Sequence, residues 1–139
     1  MNATRFWLGR ARGINREIET LLNTKKEARD QLLRITQNYT KDGAQSTKDP
    51  HKYDRLVELD NLIDQKVDEL IQTKAEITEA INKLEDGRQR CVLMSYYVRC
   101  KTLEEIAVEL HYSYRAIKKY HRAGILEIEK VCPHVPLNS

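Results

Sequence analysis

Two runs of apolar residues, spaced mostly three and four apart, constrain this chain more than any other feature. The first is Ile14, Ile18, Leu21, Ala28, Leu32, Ile35 and Tyr39, with Lys25 filling the gap after Leu21. The second is Leu56, Leu59, Ile63, Val67, Leu70, Ile77, Ile81 and Leu84, widened by Leu62 and Ile71. Such spacing returns to one helix face every seven residues, whereas strand side chains alternate and cannot use it. The pattern predicts two long helices, over residues 14–39 and 53–86. Between them "TKDGAQSTKDPHK" reads as a loop, with Asp49-Pro50 leading into the second helix.

Charge pairs the two helices. Residues 1–34 carry eight basic and four acidic side chains, and residues 53–86 carry four and ten. An antiparallel hairpin sets these opposite balances side by side. Exposed ion pairs contribute only ~0.2–1 kcal/mol each, so they select the partner, and burial of the stripes must supply most of the stability. The stripes are wider than one internal partner can cover, which predicts a homodimer through the hairpin. Five Gly, three Pro and one Phe do not suit a many-stranded sheet. The fold expected is all-α: a long antiparallel, coiled-coil-like hairpin over residues 1–86, a DNA-binding domain over 87–130, and a tail over 131–139 that reads as extended and poorly ordered.

The basic residues concentrate late. From Gly87 onward there are nine Lys+Arg and five Asp+Glu, the usual electrostatic footprint of a nucleic-acid binder. The stretch "EDGRQRCVLMSYYVRCK" reads as a buried helix, separated from the acidic helix at Asp86-Gly87. Thr102, with Glu105 three residues on, is a capping box for "LEEIAVEL", whose inner face is Ile106, Ala107 and Leu110. His111-Tyr112 makes a turn, and Ser113 caps a second helix with inner face Ile117, Tyr120, Gly124 and Ile128. Two short helices across a tight turn predict a helix-turn-helix whose second helix enters the major groove. That helix carries Arg115, Lys118, Lys119 and Arg122 and no acid before Glu127, whereas the preceding one carries Glu104, Glu105 and Glu109. Ser113, Tyr114 and Arg115 occupy its first turn, nearest to base edges. Arg115 suits a bidentate grip on guanine, Lys118, Lys119 and Arg122 suit phosphates or neighbouring bases, and Tyr114 suits a thymine methyl or a sugar.

From Leu84 to about Lys130 the chain resembles region 4 of bacterial sigma factors, through "TLEEIAVEL" followed by "YSYRAIKKYHRAGILEIEK". "YSYR" followed by His121 is especially similar to small ArpU-like, sigma-like late transcription regulators of phages and prophages of Gram-positive bacteria. The resemblance covers the last third of the chain. It implies a sequence-specific regulator that binds double-stranded promoter DNA, and it adds Arg99, Lys101 and Thr102, just before the first motif helix, as phosphate contacts. His111 stands where many such motifs carry Gly, which requires positive φ of a residue that tolerates it. RNA polymerase is a conditional partner, expected only if changing Glu104 or Glu105 abolishes activation while DNA affinity holds.

Other functions have less behind them. His111, His121, His134 and Cys132 show no metal-ligand spacing, so no metal or other cofactor is expected. No phosphate loop, nucleophile motif or carboxylate pair supports an enzyme. No apolar run is long enough to cross a membrane, the N-terminus lacks a signal-peptide core, and three unpaired cysteines suit a reducing cytoplasm. Two alternatives stand. A packaging protein resembling a terminase small subunit also joins a helix-turn-helix to long helices, but usually at its N-terminus. A helical protein-docking module would use the basic helix without DNA.

Overall fold

The computed structural model describes residues 3–41, 51 and 53–132. Among them every regular element is helical, and there is no strand. The order is α1 (Ala3–Leu8), α2 (Arg10–Lys41), α3 (Asp54–Ile81), α4 (Gly87–Leu93), a π-helical turn (Met94–Val98), α5 (Leu103–Leu110) and α6 (Tyr114–Val131). Most of the expected loop, including Asp49-Pro50, lies outside the described residues, as do Pro133 to Ser139 of the tail. Val131 instead closes α6, and Cys132 is buried. The chain divides into two compact units, residues 16–69 and residues 1–15 with 70–139. The unit holding residues 87–130 therefore also takes in the N-terminal segment and the end of α3.

In residues 16–69 the buried stripe is Ile18, Leu59 and Ile63, flanked by half-buried Leu21, Ala28, Leu32 and Leu56. Lys66 Nζ lies 2.7 Å from Glu17, and Lys25 pairs with Asp60. Rising numbers on α2 thus meet falling numbers on α3. The stripe on α3 departs from the one read in the sequence. It passes through Lys66, which is half-buried, and leaves Val67 exposed. The lysine lays its alkyl stem along the stripe while its amine reaches Glu17, whose hydrogen bond raises the amine's pKa. Ile35, expected on the seam of α2, is 40% exposed, and the side chain of Tyr39 lies outside the described residues.

The second unit contains the larger core. Leu8 and Ala11, from the segment around α1, pack with Ile77, Ala80, Ile81, Leu84, Leu93, Tyr97, Ile125, Ile128 and Cys132. A smaller cluster of Val92, Ile106, Ala107 and Ile117 seats α5 against α4 and α6. Cys91, read as part of a buried helix face, is exposed. The helix α3 stops at Ile81 rather than at residue 86. Lys83 and Leu84 donate to carbonyls three residues back, which tightens the last turn. The Arg90 guanidinium then donates to Leu84 O at 2.6 Å and to Glu85 O at 2.9 Å, and the Asp86 carboxylate accepts from Arg88 N at 2.8 Å. These bonds hold a corner that the apolar spacing cannot reveal.

Two features of this core carry testable consequences. A Cβ on Gly124 would stand 2.9 Å from Leu93 Cδ1 and 3.1 Å from Leu93 Cγ. Leu93 is fully buried, so it has no open space to move into. Alanine ordinarily favours a helix interior by about 1 kcal/mol over glycine, but overpacking costs about 1–3 kcal/mol. Gly124→Ala should therefore lower stability, read as a lower urea midpoint with unchanged slope.

The second feature is His121, which lies 7% exposed with its Nε2 2.8 Å from the Tyr97 hydroxyl. Burial pushes its pKa down to about 4, and the charges of Arg5 and Arg12 add to this. Burial also raises the Tyr97 pKa, so the phenol stays protonated and we assign it as donor to a neutral ring. Between about pH 6.5 and pH 4 the unfolded chain binds a proton that the folded one refuses. Stability from this residue is thus full above the unfolded pKa and is lost as pH falls through that window, by about 2 kcal/mol at pH 5. His121→Gln retains a hydrogen-bond acceptor without titrating. Urea titrations at pH 7 and pH 5 should show a smaller acid loss in this variant than in the unmodified chain.

Candidate nucleic-acid interface

Local chemistry places α5 and α6. Thr102 Oγ1 accepts from Glu105 N at 3.1 Å, and the Glu105 carboxylate accepts from Thr102 N at 3.1 Å, completing the capping box. The Thr102 N–H donated to the carboxylate, and after it the Thr102 hydroxyl, hold the Glu105 pKa below its usual value. The helix ends at His111, which takes the left-handed conformation with φ 61° and ψ 38°. His111 N donates to Val108 O at 3.4 Å and Tyr112 N to Ala107 O at 3.0 Å, the paired bonds of a Schellman ending. Ser113 then caps α6, its hydroxyl accepting from Ala116 N at 3.1 Å.

The helical period sorts α6 into two faces. Ile117, His121, Gly124, Ile125 and Ile128 are buried. Tyr114, Arg115, Lys118, Lys119 and Arg122 are exposed, and with Ser113 they line one shallow concave surface that also includes Ala116, Ala123 and Leu126. Lys118 Nζ stands 5.4 Å from the Tyr114 ring centroid, one helical turn away. The structure thus brings together the six residues predicted from Ser113 to Arg122. The sequence reading missed Ala116, Ala123 and Leu126; Leu126 follows Arg122 by four residues, a spacing that could have shown it.

The three residues before α5 are placed differently. Arg99 Nη1 donates to Glu109 at 2.7 Å and to Ser95 Oγ at 3.3 Å, so its charge is partly answered within the chain. Lys101 is half-buried and its carbonyl accepts from Arg12 at 3.0 Å. The Thr102 hydroxyl is engaged in the cap. None of the three lines the surface on α6. The outward residues of α5 are Glu104, Glu105, Val108 and Glu109, which gives the two neighbouring helices opposite exposed charge. Among the described residues no cluster of His, Cys, Asp and Glu could hold a metal ion, and no helix is long and apolar enough to cross a membrane.

Residues 33–129 match the family model described as "Protein of unknown function (DUF1492)". The chain belongs to that family. The DUF1492 match takes in α3 to α5 and nearly all of α6, including each residue of the basic surface. No curated protein and no solved structure matched the chain.

The caps can be weighed directly. A Ser or Thr cap contributes about 1 kcal/mol. Ser113→Ala and Thr102→Ala should each lower stability by about that amount in urea titrations, while Ser113→Asp, which retains an accepting oxygen, should not.

Proposed function

We propose that this protein is a sequence-specific double-stranded DNA-binding transcription regulator, with α5 and α6 as its helix-turn-helix and α6 as the helix that enters the major groove. The observation that carries this reading is the outer face of α6. It gathers Arg115, Lys118, Lys119 and Arg122 on one concave surface, with no acidic side chain from Ser113 to Leu126. A surface meant only for water has no reason to exclude carboxylates, whereas one that approaches phosphates does. The capped first turn of α6 supports the same reading, because Tyr114 and Arg115 stand exposed at the end that would meet base edges.

The finer assignments follow from that reading. Arg115 reads guanine, Lys118, Lys119 and Arg122 meet phosphates or flanking bases, and Tyr114 contacts a sugar or a thymine methyl. Arg99 and Lys101 contribute weaker phosphate contacts, since Arg99 already faces Glu109. The acidic outer face of α5 turns away from phosphate and suits a protein partner such as RNA polymerase. The helices α2 and α3 form an antiparallel hairpin that joins two copies, and a dimer reads two half-sites about 34–36 Å apart. The resemblance to sigma region 4 and to ArpU-like phage regulators, a cytoplasmic setting and the absence of enzymatic activity belong to the same proposal. The exposed Tyr114 and Leu126 on the α6 surface support a second reading, that this helix docks a protein instead.

A binding titration across salt, on specific and scrambled duplexes, separates the two. Lys118→Ala or Lys119→Ala should weaken binding to every duplex and reduce the salt slope by about one. Arg115→Ala should cost about 1–3 kcal/mol on the specific site and relax preference at one base position. If Arg115→Ala binds both duplexes as the unmodified chain does, α6 is not the reading helix and the docking reading takes its place.

A further inference from the structure

The unit formed by residues 16–69 carries a second seam beside its buried one. The inward stripe on α2 runs through half-buried Leu21, Lys25, Ala28 and Leu32, and each is followed at once by a member of an exposed set: Leu22, Lys26, Arg29 and Leu33. On α3, Leu56, Leu59, Ile63 and Lys66 are followed in the same way by exposed Val57, half-buried Asp60, and exposed Asp64 and Val67. Each set is offset from its stripe by one residue, about 100° in the same rotational sense. Glu17 opposite Lys66 and Lys25 opposite Asp60 show that the helices run in opposite directions. Equal offsets on counter-directed helices fall on one side of the pair, so both sets belong to a single face.

The composition of that face names its occupant. On α2 it reads apolar, basic, basic, apolar; on α3 it reads apolar, acidic, acidic, apolar. Leu22 and Leu33 are 48% and 55% exposed, and Val57 and Val67 are 55% and 36% exposed. Leucine and valine held in register at both ends of a charged pair, on both helices, are more than isolated surface apolar residues, which need no explanation. The surface that complements the α2 set is the α3 set. A heterologous partner would have to reproduce both patterns, whereas a second copy already carries them. An isologous dimer satisfies each pattern twice, because a two-fold axis brings the same patch to both copies.

We infer that this face is the dimer interface, with Leu22, Lys26, Arg29 and Leu33 of one copy packed against Val57, Asp60, Asp64 and Val67 of the other. This rests on the proposal that the hairpin joins two copies, and it specifies which side of the hairpin does so. Apolar ends supply the burial, and the charges set which helix lies on which. Asp60 can take part although it pairs with Lys25, because half of its side chain remains open.

Sedimentation of the full chain over a wide micromolar range tests the inference, with circular dichroism to verify that each variant stays helical. Leu22→Asn/Leu33→Asn and Lys26→Glu/Arg29→Glu should each raise the dimer dissociation constant at least ~10-fold. Arg16→Glu/Arg34→Glu makes the same change in net charge outside this face, on the side of α2 turned away from α3, and should leave the dimer intact. A chain that is monomeric throughout overturns both the dimer and this face. A dimer that survives Leu22→Asn/Leu33→Asn overturns the face and leaves the dimer standing. A dimer weakened equally by Lys26→Glu/Arg29→Glu and by Arg16→Glu/Arg34→Glu overturns the pairing of α2 with α3, because net charge alone then explains the loss.

Discussion

The geometry of α5 and α6 depends on one guanidinium. Arg12 Nη1 donates to Tyr96 O at 2.8 Å and to Lys101 O at 3.0 Å, and the group stacks 4.0 Å from the centre of the Tyr96 ring. The segment it holds is irregular. A π-helical turn leaves Arg99 N bonded five residues back to Met94 O, and Cys100 follows with a φ of 59°. Carbonyls displaced from regular helical bonding need donors, and a buried one left without a donor costs about 1–3 kcal/mol. Arg12 supplies two such bonds from a residue far away in the chain. It thereby ties the N-terminal part of α2 to the bend that sets the direction in which α5 leaves Thr102.

The inner side of α6 shows the complementary constraint. Its outer side is crowded with cations, and its buried side carries no charge, because an unpaired charge is costly to take out of water. Gly124 lets the backbone approach Leu93, Ile117 and Ile128 are fully enclosed, and the one titratable group on that side, His121, stays neutral against Tyr97. The edge-on Tyr96 ring, 5.0 Å from the imidazole, completes a small aromatic cluster. Neutrality inside and charge outside are two results of a single periodicity. The cations stand where they do because the apolar residues between them are anchored.

Short-range chemistry was legible from the residue order. The capping box at Thr102 and Glu105, the cap at Ser113, the positive φ at His111 and the alternation of faces along α6 each involve groups within about one helical turn. The positive φ at Cys100 was not legible, because its cause is the π-helical turn before it. Nor was the burial of Leu8 and Ala11, since their partners, such as Ile77, Ala80 and Ile125, lie far along the chain. His121 read as one of several histidines without metal spacing, and only its contact with Tyr97 shows it to be a core residue. On α3, Lys66 rather than Val67 lies on the buried stripe, an exchange that a hydrophobicity pattern conceals and the ion pair to Glu17 explains.

By itself, then, the order of residues determined an all-α fold, two long amphipathic helices, the caps that begin α5 and α6, and a basic helix with one face free of acid. Each of these follows from interactions between neighbours in sequence, whose geometry a helix dictates in advance. The tertiary structure alone decided that Arg12 would brace the bend before α5, that Arg99 would turn to Glu109, that α3 would stop at Ile81 ahead of the corner that Arg90 holds, and that Cys91 would face out while His121 faced in. Those outcomes depend on which distant groups arrive at a common place. Many placements satisfy the same pattern, and what selects among them is close packing together with the need to pair each buried polar atom.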